Sequence, residues 1–198
     1  MLACGHYTYE IRLDGEIVAF EEARVEPLLI VASRRSADGL SRHRLEAALD
    51  SDHRVCRVSL SYSTSLFTRK AIYEAVEDSL RGRITGLAAR NEVAVRLGRF
   101  REVDAAGFLI FRALIINHMQ ARGDDRWTGR VAVIDPTTLV GASIKQTCYR
   151  QENTEHSWIY EVRMGDAELL NLNREGHIVR RRDRRGLSAE LIAGAAAC

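Results

Sequence analysis

The chain contains few of the residues that stiffen or cross-link small folds. It contains two prolines and four cysteines in 198 residues. No two of the cysteines have CxxC spacing, which argues against a disulfide framework and against a zinc site. Dispersed thiols are typical of a reducing compartment, so we predict a cytoplasmic protein. The cysteines are Cys4, Cys56, Cys148 and Cys198.

Long apolar runs are also missing. The most apolar stretch, within residues 103–123, is interrupted by Gly107 and Arg112. It falls short of the roughly 20 consecutive apolar residues that a membrane span needs. The opening residues, MLACG, lack the charged and apolar regions of a signal peptide. We therefore predict no membrane partner.

Charge of one sign is not in large excess. The formal net charge is +2, which produces no global field to attract nucleic acid or membranes. All but two of the 29 basic residues are arginine, a bias that codon usage explains most simply. The apolar share of 46% is normal for a globular protein. We predict one domain over residues 1–179, followed by a basic and apolar tail over residues 180–198.

Motifs for cofactor chemistry are absent as well. There is no Gly-rich dinucleotide fingerprint and no Walker loop. The histidines show no HxH or HExxH spacing, so we predict neither a metal nor a cofactor. They are His6, His43, His53, His118, His156 and His177.

What the chain does contain is one strongly apolar segment, residues 103–123. Nearly every residue from 105 to 116 is apolar, and a helix that is apolar on all sides is a buried one. Asp104 is the predicted N-cap and Gly123 the predicted C′ residue. Arg112 must either extend to solvent or pair with a buried carboxylate. The segment therefore predicts a central buried helix.

The first half of the chain mixes two periodicities. Residues 6–25 alternate around Asp14-Gly15, which predicts a β-hairpin. Helical spacing predicts short helices over residues 41–50 and 66–81. Residues 84–103 fit either a strand or a helix, and we favour a strand.

The second half is rich in strands. From Trp127 onward, alternating segments are separated by turn signals at Gly165-Asp166 and Glu175-Gly176, which predicts an antiparallel meander. The predicted fold class is therefore α+β. It has a mixed N-terminal half, a central buried helix and a C-terminal antiparallel β-meander wrapped on that helix.

A sheet of this kind can leave a pocket at the open end of its helix. Pockets are mostly apolar with few polar groups, so strand aromatics are the predicted walls, although such residues are more often simply core. The predicted binding residues are Tyr7, Tyr9, Trp127, Trp158 and Tyr160.

Three residues are possible catalytic groups. Cys148 and His156 lie in neighbouring predicted strands with Glu161, and a thiol, an imidazole and a carboxylate can form a nucleophilic triad. Cys148 fits a core position equally well. Asp135 ends one strand and Lys145 lies on the next, as in metal-dependent nucleases, but a second acid is missing.

A basic run near the end of the chain is the other candidate site. Clustered arginines can bind phosphate backbones through counterion release. No aromatic residues interleave with them, so base stacking is not supported, and a solvated tail is the alternative. The run contains Arg180, Arg181, Arg182, Arg184 and Arg185.

These patterns favour a cytosolic binding or accessory protein that recognises a small ligand or a protein partner. One alternative is a small cofactor-independent hydrolase with its site on the C-terminal sheet. A second is a nucleic-acid-associated protein that uses the arginine-rich tail. Whether the protein is an enzyme stays open. Edge strands and the apolar C-terminal segment are compatible with a homodimer.

Overall fold

Strands account for nearly all of the regular structure in the chain. A computed structural model describes residues 2–86 and 91–196. In it, fifteen strands form a single sheet with a barrel-like shape, and one helix, α1, spans Leu109–Ala121. The strands are β1 Gly5–Leu13, β2 Glu16–Glu26, β3 Leu29–Ser36, β4 Ser41–Leu49, β5 Val55–Thr64, β6 Thr68–Val76, β7 Ser79–Thr85, β8 Asn91–Arg96, β9 Val103–Ala105, β10 Arg126–Ile134, β11 Gly141–Asn153, β12 Ser157–Met164, β13 Asp166–Asn173, β14 Ile178–Asp183 and β15 Leu187–Ala196.

The sheet consists of two meanders joined in its middle. From the middle of the sheet toward one edge, the strands follow the sequence order from β1 to β8. From the middle toward the other edge, they follow the reverse order from β15 to β9. The junction is the antiparallel ladder between β1 and β15. Among the described strands, only the short pairing of β9 with β10 is parallel. We predicted a tail from residue 180 onward. Residues 180–196 lie instead in β14, in β15 and in the turn between them, near the centre of the sheet.

The α+β prediction is wrong, because the chain is nearly all β and the meander extends through both halves. The predicted helix over residues 41–50 is β4, in which Leu45, Ala47 and Leu49 alternate inward. The predicted helix over residues 66–81 contains β6 and the start of β7. Of the ambiguous stretch, residues 91–96 form a strand as we favoured, whereas residues 87–90 lie outside the described chain.

The helix α1 is buried, and ten of its thirteen residues are shielded from solvent. The predicted N-cap is wrong, because Asp104 belongs to β9 and the residue before the helix, Phe108, makes no side-chain cap. The predicted end is confirmed. Gly123 follows the C-cap Arg122 with φ +74°, a conformation that glycine adopts without a Cβ penalty.

A glutamate from the sheet takes the place of the missing cap. Glu21 of β2 is fully buried, and its Oε1 accepts the Leu109 N–H at 2.8 Å. Its Oε2 accepts a hydrogen bond from Arg34 Nη2 at 2.5 Å. Arg34 also donates to the Gly107 carbonyl at 2.7 Å. The positive end of the helix dipole therefore meets a carboxylate, and β2 and β3 are fastened to the start of α1.

Arg112 pairs with buried carboxylates, one of the two outcomes that we predicted. Its Nε lies 3.2 Å from Asp104 Oδ2, and its Nη1 bonds to Glu168 of β13. Arg181 Nε lies 2.8 Å from the other oxygen of Glu168. Arg181 Nη2 also lies 4.0 Å from Asp183 Oδ2. Both buried cations thus have carboxylates beside them, as buried charges require.

The two ends of the sheet meet without a shared ladder in the described chain. Residues 135–140, which connect β10 to β11, pack instead against strands of the first meander. Tyr73 of β6 donates its hydroxyl to the Leu139 carbonyl at 2.6 Å. Beside it, Val95 of β8 packs so closely on Gly141 that a Cβ there would lie 2.5 Å from its Cγ2. Side-chain contacts therefore form this seam.

No helix in the described chain is long and apolar enough to cross a membrane. The cytoplasmic location and the homodimer stay predictions.

Candidate functional site

An apolar cavity of about 250 Å³ lies beside the last turns of α1. It is bounded by the helix on one side and by the segments that precede β1 and connect β2 to β3 and β4 to β5. Its walls are mostly apolar, with a few polar groups among them. The lining residues are Leu2, Cys4, Val25, Glu26, Pro27, Leu49, Asp52, His53, Leu114, Asn117, His118 and Ala121.

The helix contributes one stripe of side chains to the cavity. Leu114, Asn117, His118 and Ala121 are spaced i, i+3, i+4 and i+7, which places them on one face. Leu114 and Asn117 are buried, whereas Ala121 is exposed. The cavity thus deepens from the exposed end of the helix toward its covered middle.

The turn between β4 and β5 forms the opposite rim. Asp50 Oδ1 accepts the backbone N–H groups of Asp52 and Arg54, each at 2.9 Å. His53 adopts φ +58° within this turn. Its Nδ1 lies 3.1 Å from the Pro27 carbonyl of the β2–β3 turn. This hydrogen bond therefore joins the β2–β3 turn to the β4–β5 turn at the mouth of the cavity.

His118 links the helix to this rim. Its Nδ1 lies 3.0 Å from Glu102 Oε2 and its Nε2 lies 3.1 Å from the His53 carbonyl. A carboxylate and a carbonyl are both acceptors, so each ring nitrogen of His118 faces an acceptor. Glu102 also accepts from Arg122 Nη1 at 3.4 Å. Both nitrogens of His118 are thus already used.

Asn117 is the polar side chain at the covered side of the cavity. It is 4% exposed, and its Nδ2 donates to the carbonyls of Ala113 and Gly176, each at 2.8 Å. These two bonds fix which amide atom is the nitrogen. Its Oδ1 has no hydrogen-bond partner in the part of the chain that the structure describes.

None of the predicted aromatic walls lines this cavity. Tyr9, Tyr160 and Trp127 are core residues, and Trp158 is half-buried under the Arg174 guanidinium at 4.6 Å. Tyr7 is buried and stacks on His177, with ring centroids 3.9 Å apart.

The possible catalytic residues are not brought together. Cys148 is fully buried, and burial raises the pKa of its thiol to about 12. Asp135 precedes β11 and His156 follows it, so they lie at opposite ends of a 13-residue strand. At about 3.3 Å per residue that strand is roughly 40 Å long. In the β11–β12 ladder Cys148 is paired with Val162 and Glu161 with Tyr149, so the thiol and the Glu161 carboxylate lie on opposite faces of the sheet. Cys148, His156 and Glu161 therefore do not form a triad.

The arginine run lies in β14 and in the turn that leads to β15, and its five arginines differ in their contacts. Three of the five are in ion pairs within the sheet, and the other two are exposed, without a partner among the described residues. Nucleic-acid contact stays a prediction. The pairs are Arg180 with Glu190, Arg181 with Glu168, and Arg185 with Asp166; the unpaired arginines are Arg182 and Arg184.

Sequence reasoning missed the lining residues, although one signal was present. Asn117 and His118 are consecutive polar residues in a mostly apolar helix, and they mark the face that meets the cavity. Nothing in the sequence connects that face to Pro27 or to Asp52, because these residues reach it only through the curvature of the sheet. Within residues 2–86 and 91–196, no group of three or more His, Cys, Asp or Glu side chains is arranged to hold a metal ion.

Comparison with known proteins identifies the fold. No protein-family model and no curated protein matches the chain. A DUF1089 family protein from Pseudomonas aeruginosa is similar in structure, with a TM-score of 0.60, 17% identity, and coverage of 81% of this chain and 87% of that one. A beta-barrel-like protein of the domain of unknown function DUF1849 from Brucella abortus has a TM-score of 0.65 at 8% identity, covering 100% of this chain and 99% of that one. At these identities the likeness shows the barrel-like fold alone.

Proposed function

We propose that the protein is a non-catalytic binding protein that holds a small apolar ligand in the cavity beside α1. The observation that carries the proposal is the cavity itself, which is mostly apolar and has few polar groups. This is the usual composition of a small-molecule site.

The size of the cavity limits the ligand. Apolar cavities of on the order of 150 Å³ can hold a benzene-sized molecule. Drug-sized ligands occupy roughly 300 Å³ or more. A volume of about 250 Å³ therefore suits one ring with a short substituent, or a short alkyl chain.

The geometry gives less support to the hydrolase alternative. Its best nucleophile, Cys148, lies in the core with a raised pKa, and His156 is exposed in a distant turn. A binding role requires no activated group, and the lining provides none.

Native mass spectrometry of the purified protein, compared with its denatured mass, tests for a retained ligand. We expect a discrete extra mass that disappears on unfolding. If the native mass equals the mass of the protein alone, the purified protein has retained no ligand. The next experiment then tests the cavity with added probes.

A substitution at the mouth tests the location of the site. Ala121→Phe places a ring in the cavity, so we expect binding of small apolar probes such as indole and hexan-1-ol to weaken at least about tenfold. Chemical-shift titration of the full chain measures this. The matched control is Ala37→Phe, an exposed alanine in the β3–β4 turn at the other end of the sheet. Equal binding by both variants, or no probe binding to the wild type, would refute the proposal.

A further inference from the structure

Two carboxylates are among the groups that line the cavity. They belong to Glu26 and Asp52, and no arginine or lysine of the described chain lines it. Arg24 Nε lies 3.1 Å from Glu26 Oε1 on the outside of the sheet, whereas the Asp52 side chain has no partner among the described residues. Asp52 therefore carries the unpaired negative charge at the cavity mouth.

The uncharged polar groups are acceptors too. Asn117 Oδ1 is free, since its nitrogen makes both hydrogen bonds of that amide. His53 uses Nδ1 toward the Pro27 carbonyl, so in the neutral ring Nε2 carries a lone pair. His118 has no nitrogen left to donate. Asn117 Oδ1 and His53 Nε2 are thus both available as acceptors of hydrogen bonds.

The position of the cavity along α1 also favours a cationic ligand. Leu114, Asn117, His118 and Ala121 belong to the last two turns of α1, and the C-terminal end of a helix carries partial negative charge. A cation is stabilised there, and an anion is not.

We infer that the ligand carries a cationic amine on a small apolar body. This inference rests on the proposed function and specifies the ligand of the same cavity. The apolar body fills the space beside Leu114 and Leu49. The ammonium group donates to Asn117 Oδ1 and to the acceptors of the rim, where Asp52 supplies the opposite charge. An ammonium group has only donors, so it matches the acceptors on Asn117, His53 and Asp52.

Three probes with the same hexyl chain separate the contributions: n-hexylamine, hexan-1-ol and heptanoate. They present the same apolar body with a cationic, a neutral or an anionic head. We expect the full chain to bind hexylamine at least about tenfold more tightly than hexanol, equivalent to about 1.4 kcal/mol, with heptanoate weakest. Chemical-shift titration gives the three dissociation constants.

A charge-neutralising pair of substitutions locates the preference. Glu26→Gln combined with Asp52→Asn should weaken hexylamine binding toward that of hexanol and leave hexanol binding unchanged. The matched control combines Glu22→Gln with Glu46→Gln, which makes the same change of net charge at exposed positions on the outer face. That control should bind hexylamine as the wild type does.

The outcomes are distinguishable. Equal binding of the three probes would overturn the amine inference and leave the proposed function intact. A hexylamine preference that survives neutralisation of Glu26 and Asp52 would also overturn it, because the preference would arise elsewhere. Binding of none of the probes would overturn the inference together with the proposed function.

Discussion

At the scale of single residues, four buried ionisable side chains form one quartet. Arg112 and Arg181 face Asp104 and Glu168 between α1 and the C-terminal strands. Such a quartet adds little stability over an apolar core, but removing one member leaves an uncompensated buried charge. Its members should therefore be much less tolerant of substitution than the exposed arginines nearby.

Replacing Arg112 tests this directly. Arg112→Met keeps a long side chain and leaves Asp104 and Glu168 with one guanidinium too few, so we expect a loss of about 3–5 kcal/mol in the free energy of unfolding. Denaturant titration measures the loss. Arg182→Met, at an exposed position of the same arginine run, should change stability by no more than about 0.5 kcal/mol. Similar small losses in both variants would contradict the role of the quartet.

His177 gives the protein a pH-dependent stability. It is fully buried, neither ring nitrogen has a hydrogen-bond partner among the described residues, and burial lowers its pKa to about 4. The unfolded chain, with a histidine pKa near 6.5, binds the proton more readily. Stability is therefore complete above about pH 6.5 and falls as the pH drops toward 4.

The size of this effect can be isolated. Between pH 7 and pH 5 the His177 contribution should cost about 2 kcal/mol of unfolding free energy. His177→Phe keeps a ring on Tyr7 and removes the titrating group, so its stability should fall by about 2 kcal/mol less than that of the wild type over this interval. Denaturant titrations at the two pH values give the comparison. An identical pH dependence in both proteins would show that His177 does not contribute.

At the scale of secondary-structure elements, Glu21 connects the sheet to the helix. Glu21→Leu would remove the acceptor of the Leu109 N–H and the carboxylate that balances the Arg34 charge, so we expect a loss of at least about 3 kcal/mol. Glu21→Gln keeps an oxygen for Leu109 and should lose less. Glu22→Gln, on the exposed outer face, is the control and should be nearly neutral. Hydrogen exchange of the α1 amides would show whether the helix loosens first; equal protection in all three variants would argue against this connection.

Element identity was only partly predictable from the sequence. The buried helix was visible because its residues are apolar on every side, and the hairpin over residues 6–25 because its side chains alternate around Asp14-Gly15. Residues 66–81 were misread, since Ile72, Val76 and Leu80 at i, i+4 spacing are also compatible with strands. In the fold, Ile72 and Val76 face outward and Leu80 faces the core across a turn.

The candidate site was harder to predict than the fold. A pocket at the end of the helix was a reasonable expectation from a sheet that curves. Its walls, however, come from turns far apart in sequence, such as those at Pro27 and His53. Their approach to Asn117 depends on how much the sheet curls, and local periodicity does not encode that quantity.

At the scale of the whole molecule, the seam between the two sheet edges should be its weakest region. Tyr73→Phe removes only the hydroxyl that bonds to the Leu139 carbonyl, and we expect a loss of about 1–2 kcal/mol with faster hydrogen exchange confined to β8 and the β10–β11 loop. Tyr160→Phe is the control, because it removes a hydroxyl that bonds to Gln120, away from the seam. Faster exchange at the seam in both variants would contradict this assignment.

The pairing of β1 with β15 has a consequence for how the molecule is made. The register matches Gly5 with Ala196, so the ladder in the middle of the sheet joins residues nearly the whole described chain apart. Among the strands that the structure describes, β15 leaves the ribosome last, and each meander keeps an open flank until then. Pairing over such sequence separation is slow, and exposed strand flanks invite association with other chains. The central ladder of this sheet therefore cannot form until β15 has been synthesised, and aggregation during synthesis is the hazard that this topology carries.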